Sequence, residues 1–456
     1  MPGLSGTRRA QAPLRDFLAA EAQSIANACT KCGTCVEICP VVPYTAAAGA
    51  PAGSVAGGII DFLANTSELG AASDAWASAC NGCGLCIPAC PEGVNPRKML
   101  VLAGSKAATV HSKTPELFRQ MSRTIKIMLA MQLVPEEFRR LFTPPAPRSA
   151  PVVFYVGCNA LRTPHLLFNS MAVLDALEVD YEVIGGPSSC CGVIATKWEG
   201  RTDNGERITS NTIDRFEGFR PEKVLNWCPT CQLHLGETLH GYRERTFEFD
   251  HLTKYLAGRI DDLREKFRTP IRKRAVVHAH VGRADVCRDV DTLLHAIPGL
   301  DIVETVFESG YTCGGSGCSK APELAAREHA ELVARVEATG ADVLVTLYHG
   351  CHATFAGMEA RGQFRVLNFT DLLVQALGTI PHDDRLKQFR LLGDWQMIVD
   401  DARPYLLANG LDIDLDWLKR HGPAIFASLE FKGQLDCFEA PARHAAHRGG
   451  ANADAG

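Results

Sequence analysis

The sequence predicts an α+β multidomain protein, in which a helical N-terminal part precedes two similar α/β domains and a helical C-terminal extension. Three observations predict this architecture. Apolar residues have helical spacing before residue 143, short apolar runs alternate with helix-length segments after residue 150, and the same alternation starts again at residue 274. Because alternating strands and helices are typical of parallel sheets, each repeated region is expected to contain its own parallel sheet.

Composition excludes several classes of protein. Of the 456 residues, 46% are apolar and 22% are charged, and 47 basic residues against 52 acidic ones give a net charge of −5. Such a chain can bury large cores, and it is not basic enough to indicate a nucleic-acid partner. No stretch is typical of a transmembrane helix, and the N-terminus lacks the apolar core of a signal peptide. We expect a cytoplasmic protein, or one that a partner holds on the inner face of a membrane.

Breaks in composition predict the domain boundaries. A proline-rich segment at 143–151 and a basic segment at 268–274 are interpreted as linkers, and a third break falls near Pro381. The predicted parts are an N-terminal tail at 1–20, a helical domain at 21–142, a first α/β domain at 150–270, a second at 274–380, a helical extension at 381–437 and a disordered tail at 438–456.

The two α/β domains are predicted to be duplicates. Matching apolar runs and turns occur in the same order in both, with Cys191 opposite Cys313 and Cys231 opposite Cys351. The predicted strands are 152–156, 181–184 and 224–227 in the first copy, and 275–277, 302–303 and 343–347 in the second. A repeat of this length indicates duplicated domains, because each copy is large enough for its own sheet.

Two cysteine motifs in the helical part predict a pair of iron–sulfur clusters. Residues 29–40 and 80–91 both have the pattern C-x-x-C-x-x-C-x-x-x-C-P. Three thiolates in one tight loop can occupy three corners of an iron–sulfur cube, while the fourth cysteine reaches the other cluster. The predicted ligands are Cys29, Cys32, Cys35 and Cys90 for one [4Fe–4S] cluster, and Cys80, Cys83, Cys86 and Cys39 for the second. Structural zinc is the alternative, but it favours two well-separated cysteine pairs.

A second set of cysteines follows the predicted strands of the first α/β domain. Its members are Cys158, Cys190, Cys191, Cys228 and Cys231. In an open parallel sheet the carboxyl ends of the strands converge on one crevice, where ligands bind. Five thiolates exceed the needs of a tetrahedral zinc ion or of a cubane, so the set indicates an iron–sulfur species of unusual shape.

These motifs identify a family resemblance. Cys158, the Cys-Cys-Gly at 190–192 and the C-x-x-C at 228–231 resemble the cysteine-rich "CCG" domain of heterodisulfide reductases. Two ferredoxin motifs upstream of two such domains resemble the fused D-type subunit, and the layout is similar to the iron–sulfur subunits of glycolate oxidase and anaerobic glycerol-3-phosphate dehydrogenase. The resemblance covers about residues 20–378. It implies two [4Fe–4S] clusters in the ferredoxin domain and one noncubane [4Fe–4S] cluster on the five catalytic cysteines, where a disulfide is cleaved in two one-electron steps.

The function predicted from this resemblance is that of an oxidoreductase subunit. Electrons are expected to come from a flavoprotein, another redox subunit or a membrane cytochrome, and to reach a disulfide, a thiol or another small substrate. The alternative is an electron-transfer subunit of a flavin-dependent 2-hydroxy-acid or glycerol-3-phosphate dehydrogenase. The intact pair Cys228 and Cys231 favours disulfide chemistry over a mere relay. A zinc-stapled scaffold is a third class, and it would be colourless.

The second α/β copy departs from the family pattern. Ala279 or His280, Thr312 and Tyr348 take the positions of Cys158, Cys190 and Cys228. The favoured interpretation is a degenerate copy that positions the first. The other is a different metal site built from Cys287, Cys313, Cys318 and Cys351, to which His280 or His352 could add a further ligand. The histidines at strand ends are interpreted as structural or proton-carrying residues: His278, His280, His349 and His352.

Overall fold

A computed structural model describes residues 12–111, 116–309, 313, 320–360, 364–411 and 413–426. Thr312 and Cys318 lie outside the described residues, as do most of the predicted N-terminal tail and the whole predicted C-terminal tail. Within the described part, no helix is both long and apolar enough to cross a membrane.

The N-terminal part is built from seven described helices around two cysteine loops. The helices are α1 Leu14–Ala28, α2 Thr34–Glu37, α3 Ala52–Leu63, α4 Ala71–Ala79, α5 Pro96–Val110, α6 Leu117–Ala130 and α7 Pro135–Phe142. One cysteine loop runs from the end of α1 into α2, and the other lies between α4 and α5. Asn95 caps α5 by accepting a hydrogen bond from the Lys98 backbone N–H at 3.0 Å, and Pro96 occupies the first helical position. The second loop therefore ends at a fixed helix start.

The first α/β unit contains a four-stranded parallel sheet in the order β2-β1-β3-β4. Its strands are β1 Val152–Gly157, β2 Tyr181–Gly185, β3 Lys223–Asn226 and β4 Glu248–His251. Its helices are α8 Pro164–Ala176, α9 Thr202–Gly218, α10 Pro229–Leu233, α11 Leu252–Gly258 and α12 Ile260–Lys266. Every residue of β1 is buried, as expected for a strand covered by helices on both faces.

The second α/β unit repeats this topology, with the order β6-β5-β7-β8 and parallel pairing throughout. Its strands are β5 Lys273–His280, β6 Leu300–Glu308, β7 Val343–Thr346 and β8 Arg365–Asn368. Its described helices are α13 Ala284–His295, α14 Pro322–Thr339, α15 His349–Phe355 and α16 Phe369–Ala376. The predicted fold class is confirmed. The basic segment 268–274 is not wholly a linker, however, because its last two residues begin β5 and pair with β6.

The described part of the C-terminal extension contains three helices: α17 Arg385–Leu392, α18 Trp395–Ala408 and α19 Leu415–Phe426. The extension folds back onto the N-terminal part. The Asn409 side-chain amide donates hydrogen bonds to the carbonyls of Ala130, at 3.2 Å, and Leu133, at 2.7 Å. Asn409 therefore caps the end of α6 with an element more than 270 residues away in sequence.

The two sheets turn their carboxyl edges toward each other. Asn159, just after β1, lies with its amide nitrogen 3.3 Å from the His349 Nε2 atom at the start of α15. The Trp227 ring after β3 stacks on Phe369 at the start of α16, with a centroid separation of 5.9 Å. Residues that follow the strands of one unit thus contact residues that follow the strands of the other.

The second unit also contacts the second cysteine loop. The Lys320 ammonium group donates a hydrogen bond to the Cys80 carbonyl at 2.8 Å. Gly282, two residues after β5, packs so closely that a Cβ atom added there would lie 1.3 Å from the Cys83 carbonyl oxygen. The N-terminal part and the second sheet are therefore joined by backbone-to-backbone packing that only glycine permits.

Replacing Gly282 by alanine should destabilise the protein, because the backbone of one partner must move. We expect a loss of about 1–3 kcal/mol, the range usual for overpacking. The apparent midpoint of urea unfolding under anaerobic conditions measures it. Gly218→Ala is the matched control, since a Cβ there meets no atom within 4 Å. Equal midpoints for the two variants would contradict the packing described here.

Candidate metal centres

The first cysteine group combines three residues of the first loop with one of the second. Cys29, Cys32, Cys35 and Cys90 line one small cavity whose other walls include Ala56, Val94 and Met99. Cys35 is buried, Cys29 and Cys90 are half-buried, and Cys32 is exposed. Four thiols around a cavity with apolar walls fit the [4Fe–4S] cluster that the spacing predicts.

The second cysteine group combines three residues of the second loop with one, Cys39, of the first. Desolvation, together with the nearby Cys80 and Cys39, raises the pKa of Cys83 to about 12. The pKa of Cys39 is likewise raised by desolvation and by Cys80. Each fourth cysteine therefore lies beside the triplet of the other motif. The structure brings the two predicted sets together, and ligation by them stays a prediction.

Burial determines the protonation state of Cys35. Desolvation also raises the pKa of Cys35 to about 12, so this group is a neutral thiol at pH 7 in the absence of a metal. A buried thiolate needs a neighbouring positive charge, and iron supplies one. The sites are thus suited to a metal ion whose positive charge stabilises buried thiolates.

Gly33 allows the first loop to fold tightly. Its φ angle is +87°, a region that favours glycine, and an added Cβ atom would lie 2.5 Å from the Gly53 backbone nitrogen in α3. Its backbone conformation and its close approach to α3 therefore suit Gly33 to the turn between Cys32 and Cys35.

The five cysteines of the first α/β unit come from the carboxyl ends of three neighbouring strands. Cys158 follows β1, Cys190 and Cys191 follow β2, and Cys228 and Cys231 follow β3. All are buried, from 0% exposure at Cys190 to 7% at Cys158. The Cys158 and Cys190 sulfurs are 3.8 Å apart. Hydrogen bonds link Cys191 to Cys190 and Cys231, and Cys231 to Cys228, so the thiols form one continuous group.

Gly157 makes this convergence possible. It ends β1 with a φ angle of +74°, and an added Cβ atom would lie 3.0 Å from the Cys228 Cβ atom and 3.1 Å from the Cys231 sulfur. A larger residue at position 157 would push Cys228 and Cys231, which follow β3, away from Cys158, which follows β1. The absence of a side chain at Gly157 therefore leaves space beside β1 for the cysteine side chains that follow β3.

The backbone around the vicinal pair is fixed from α9. Thr209 donates a hydrogen bond to the Cys191 carbonyl at 2.8 Å, and Thr212 donates one to the Cys190 carbonyl at 2.7 Å. Two π-helical turns, Ile194–Trp198 and His234–Thr238, follow the Cys-Cys-Gly and C-x-x-C segments. Such turns are frequent at functional sites, since they displace one residue from the regular helix.

Electrostatics single out Cys191 and Tyr155. Hydrogen bonds from Cys190 and Cys231 lower the pKa of Cys191 below its ordinary value, although burial opposes this. The Tyr155 hydroxyl donates to the Ser189 carbonyl at 2.9 Å and lies 3.5 Å from the Cys231 sulfur. Desolvation and the nearby cysteines raise the pKa of Tyr155, so it keeps its proton beside the thiols.

The second cysteine loop and the five-cysteine group are directly connected. A Cβ atom added at Gly82 would lie 3.6 Å from a methyl carbon of Leu233, two residues after Cys231. The buried Arg97 guanidinium donates to the Gly82 carbonyl at 3.1 Å and forms an ion pair with Glu237 in the second π-helical turn. The Cys80–Cys83–Cys86 loop is therefore the one held against the five-cysteine group, while the exposed Cys32 belongs to the other.

The second α/β unit brings together only some of the described residues of the predicted alternative ligand set. The sulfurs of Cys313 and Cys351 are 3.3 Å apart. Cys287 instead lies 3.4 Å from the backbone of His280, and the His352 Nε2 atom lies 2.7 Å from an Asp384 carboxylate oxygen. His352 is thus wrong as a ligand beside Cys313 and Cys351, because it faces the C-terminal extension.

Sequence reasoning missed three residues at these centres. Arg97 is too far in sequence from Glu237 to suggest their ion pair, and Tyr155 was interpreted only as part of a buried strand. Glu308, the last residue of β6, is buried within 3.4 Å of the nearest nitrogens of His278 and His280. Its place at a strand end is the one signal that could have identified it.

Comparisons with known proteins identify the domains that carry these cysteines. The chain matches the family model of the 4Fe-4S dicluster domain over residues 14–94 and that of the cysteine-rich domain over residues 152–236 and 278–356. It is 26% identical to the D-type subunit of the dihydromethanophenazine:CoB–CoM heterodisulfide reductase of Methanosarcina barkeri, over 77% of this chain and 94% of the relative. The Methanosarcina mazei protein of that name is 27% identical over the same shares. One of the subunits of the fumarate reductase (CoM/CoB) of Methanothermobacter marburgensis is 24% identical, over 76% of this chain and 72% of the relative.

Exchange of the fourth cysteines between the motifs can be tested by electron paramagnetic resonance. Cys39→Ser should weaken or remove the same cubane signal as Cys80→Ser, whereas Cys90→Ser should affect the signal lost in Cys29→Ser. The reason is that each fourth cysteine lies beside the other triplet. A Cys39→Ser spectrum that matches Cys29→Ser would contradict this arrangement.

The five-cysteine group should hold its own iron. Cys191→Ser is expected to remove a third iron–sulfur signal and to lower the iron content by about one cluster, while both cubane signals persist. Iron analysis and low-temperature spectra of the anaerobic protein measure this. Cys287→Ser, which changes a half-buried thiol outside the group, is the control. Unchanged iron in Cys191→Ser would defeat the assignment.

Proposed function

We propose that this chain, which belongs to the iron–sulfur proteins with a 4Fe-4S dicluster domain followed by two cysteine-rich domains, is the disulfide-reducing redox subunit of a heterodisulfide-reductase-like complex. In this proposal electrons enter at the Cys29 group, pass to the Cys80 group and reach the five-cysteine group of the first α/β unit. That order follows the positions of the three groups in the fold.

A single observation carries the proposal: five buried thiols form one continuous group at the carboxyl edge of a parallel sheet. An electron relay needs only four cysteines around a cubane. The fifth thiol, the vicinal pair and the adjacent Tyr155 hydroxyl are features that a simple relay does not require. They favour chemistry at sulfur over the alternative role in a flavin-dependent dehydrogenase. The relatives named as heterodisulfide reductase subunits support the same choice.

The exposed end of the route is the expected docking place for the electron donor. Cys32 is exposed, whereas the five thiols beyond the second loop have at most 7% exposure. A partner that carries a flavin or a haem can therefore approach the first cysteine group but not the last. A flavoprotein or a membrane cytochrome is the proposed partner class, since the dicluster domain transfers single electrons.

The proposed reaction breaks one S–S bond. A disulfide takes up two electrons from the partner and two protons from water, and yields two thiols. When bound by the five cysteines, an iron–sulfur cluster supplies these electrons one at a time. The protein excludes bulk water from the thiols, and the Cys231 thiol donates a hydrogen bond to the Tyr155 hydroxyl oxygen at 3.5 Å. Cys158, the most exposed of the five, marks the side from which a substrate sulfur would approach.

Disulfide reduction with dithionite-reduced viologen dye tests the proposal. The anaerobic protein should consume two equivalents of reduced dye for each disulfide and release two thiols. In Cys191→Ser the rate should fall to background while the cubanes remain reducible, and Cys287→Ser should keep its activity. A protein with all three clusters that reduces no disulfide of a tested panel, but accepts electrons from a 2-hydroxy-acid-reduced flavoprotein, would favour the relay.

A further inference from the structure

A compact group of metal-ligand side chains lies at the carboxyl edge of the second sheet. His278 and His280 are on β5, Cys313 is in the segment after β6, and Cys351 is on α15. One ligand atom from each lies within 4.8 Å of all the others. Each of the four residues is only 1% exposed. The group occupies in this sheet the edge that the five thiols occupy in the first.

The distances fit one metal ion. The His280 Nε2 atom is 3.0 Å from the Cys351 sulfur and 3.5 Å from the Cys313 sulfur, and the two sulfurs are 3.3 Å apart. Neighbouring ligands of a tetrahedral zinc ion are separated by about 3.3–3.8 Å, given bonds of about 2.0–2.3 Å. A small expansion of the observed group therefore makes room for a single ion.

The same distances argue against a two-iron centre. In a cluster with two cysteines on one iron and two histidines on the other, the histidine nitrogens are kept apart from the sulfurs by the width of the cluster. Here one histidine nitrogen is next to both sulfurs. The arrangement is that of two nitrogens and two sulfurs around one point.

A carboxylate orients the histidine rings from behind. The Glu308 carboxylate oxygen lies 3.3 Å from the His280 Nδ1 atom, on the ring side opposite the nitrogen that faces the sulfurs. The same oxygen is 3.4 Å from His278 Nε2. A carboxylate that accepts the second N–H of a ligating histidine is the usual outer partner of a protein zinc site, where it fixes the tautomer.

Packing alone does not explain such a group. Two imidazoles, two thiols and a carboxylate are costly to bury together, unlike the apolar residues usual at this depth. Their immediate neighbours are aromatic: Phe355 contacts the His278 ring edge-to-face at 4.7 Å, and Tyr348 stacks on His280 at 5.8 Å. Two thiolates balance the charge of a divalent ion, so the ion and its four ligands together carry no net charge.

We propose that His278, His280, Cys313 and Cys351 bind one zinc ion, with Glu308 as a positioning residue for the histidines. The ion joins β5, the segment after β6 and α15. It also fixes the turn after His280, where Gly282 packs on the carbonyl of Cys83. The second unit, which was expected to serve for packing alone, thus has a metal of its own that stiffens the wall beside the second cysteine loop.

Metal analysis of the anaerobically purified full chain tests the proposal. We expect one zinc per chain in addition to the cluster iron. Cys351→Ser and His280→Ala should each remove most of the zinc and leave the iron content unchanged from the unmodified protein. Cys287→Ser, which alters a neighbouring thiol outside the group, should retain the zinc. Retention of stoichiometric zinc in both ligand variants would overturn the proposal.

X-ray absorption at the zinc edge keeps the test valid if a variant fails to fold, because it uses the unmodified protein. The expected first shell is two sulfurs at about 2.3 Å and two nitrogens at about 2.0–2.1 Å. A shell of four sulfurs, the absence of zinc, or a single iron in its place would overturn the proposal. If the unmodified protein shows this zinc shell but reduces no disulfide, the result would count against the proposed function and not against the zinc site.

Discussion

Burying a thiolate requires positive charge nearby to replace the hydration that it loses, and the arrangement of the cysteines in this fold depends on that requirement. A thiolate is stable in a protein interior only beside positive charge, and thirteen cysteines of this chain are predicted to meet that condition by binding iron. The fold keeps the five thiols of the first α/β unit at the edge of its sheet. Gly157 leaves space for them, and Thr209 and Thr212 fix the backbone of the vicinal pair.

The duplicated sheets show how one topology supports two kinds of site. In both, the central strand ends at an edge toward which loops deliver side chains, as is general for open parallel sheets. The first edge presents five thiols. The second presents two imidazoles and two thiols, with Glu308 behind them. Changing the residues at the strand ends changes the chemistry of the edge, while the buried strands that form the sheet retain their apolar pattern. The second cysteine loop contacts both units.

Much of this architecture follows from local patterns in the sequence. The spacing within each cysteine motif predicts the triplets, and the repeat of strand-end residues predicts two sheets of the same topology. Contacts between distant residues outside the cysteine motifs were not predictable, because no periodicity encodes them. The pairing of Arg97 with Glu237 is an example. The histidine beside the cysteines of the second unit is another example. His352 follows Cys351 directly in the sequence, and His280 lies at or next to the repeat position of Cys158. Only the fold shows that His352 contacts Asp384 instead. Basic composition also misled the assignment of 268–274, since two of its residues begin an exposed end of β5.

The role proposed for this chain requires iron on the five buried cysteines of the first α/β unit. This iron would receive electrons from two cubanes in the N-terminal part. Anomalous X-ray diffraction from anaerobic crystals, measured above and below the iron absorption edge, locates that iron without any substitution. We expect three iron peaks: one among Cys29, Cys32, Cys35 and Cys90, one among Cys39, Cys80, Cys83 and Cys86, and one among the five cysteines. Iron at the two N-terminal groups with none at the five-cysteine group would refute this role.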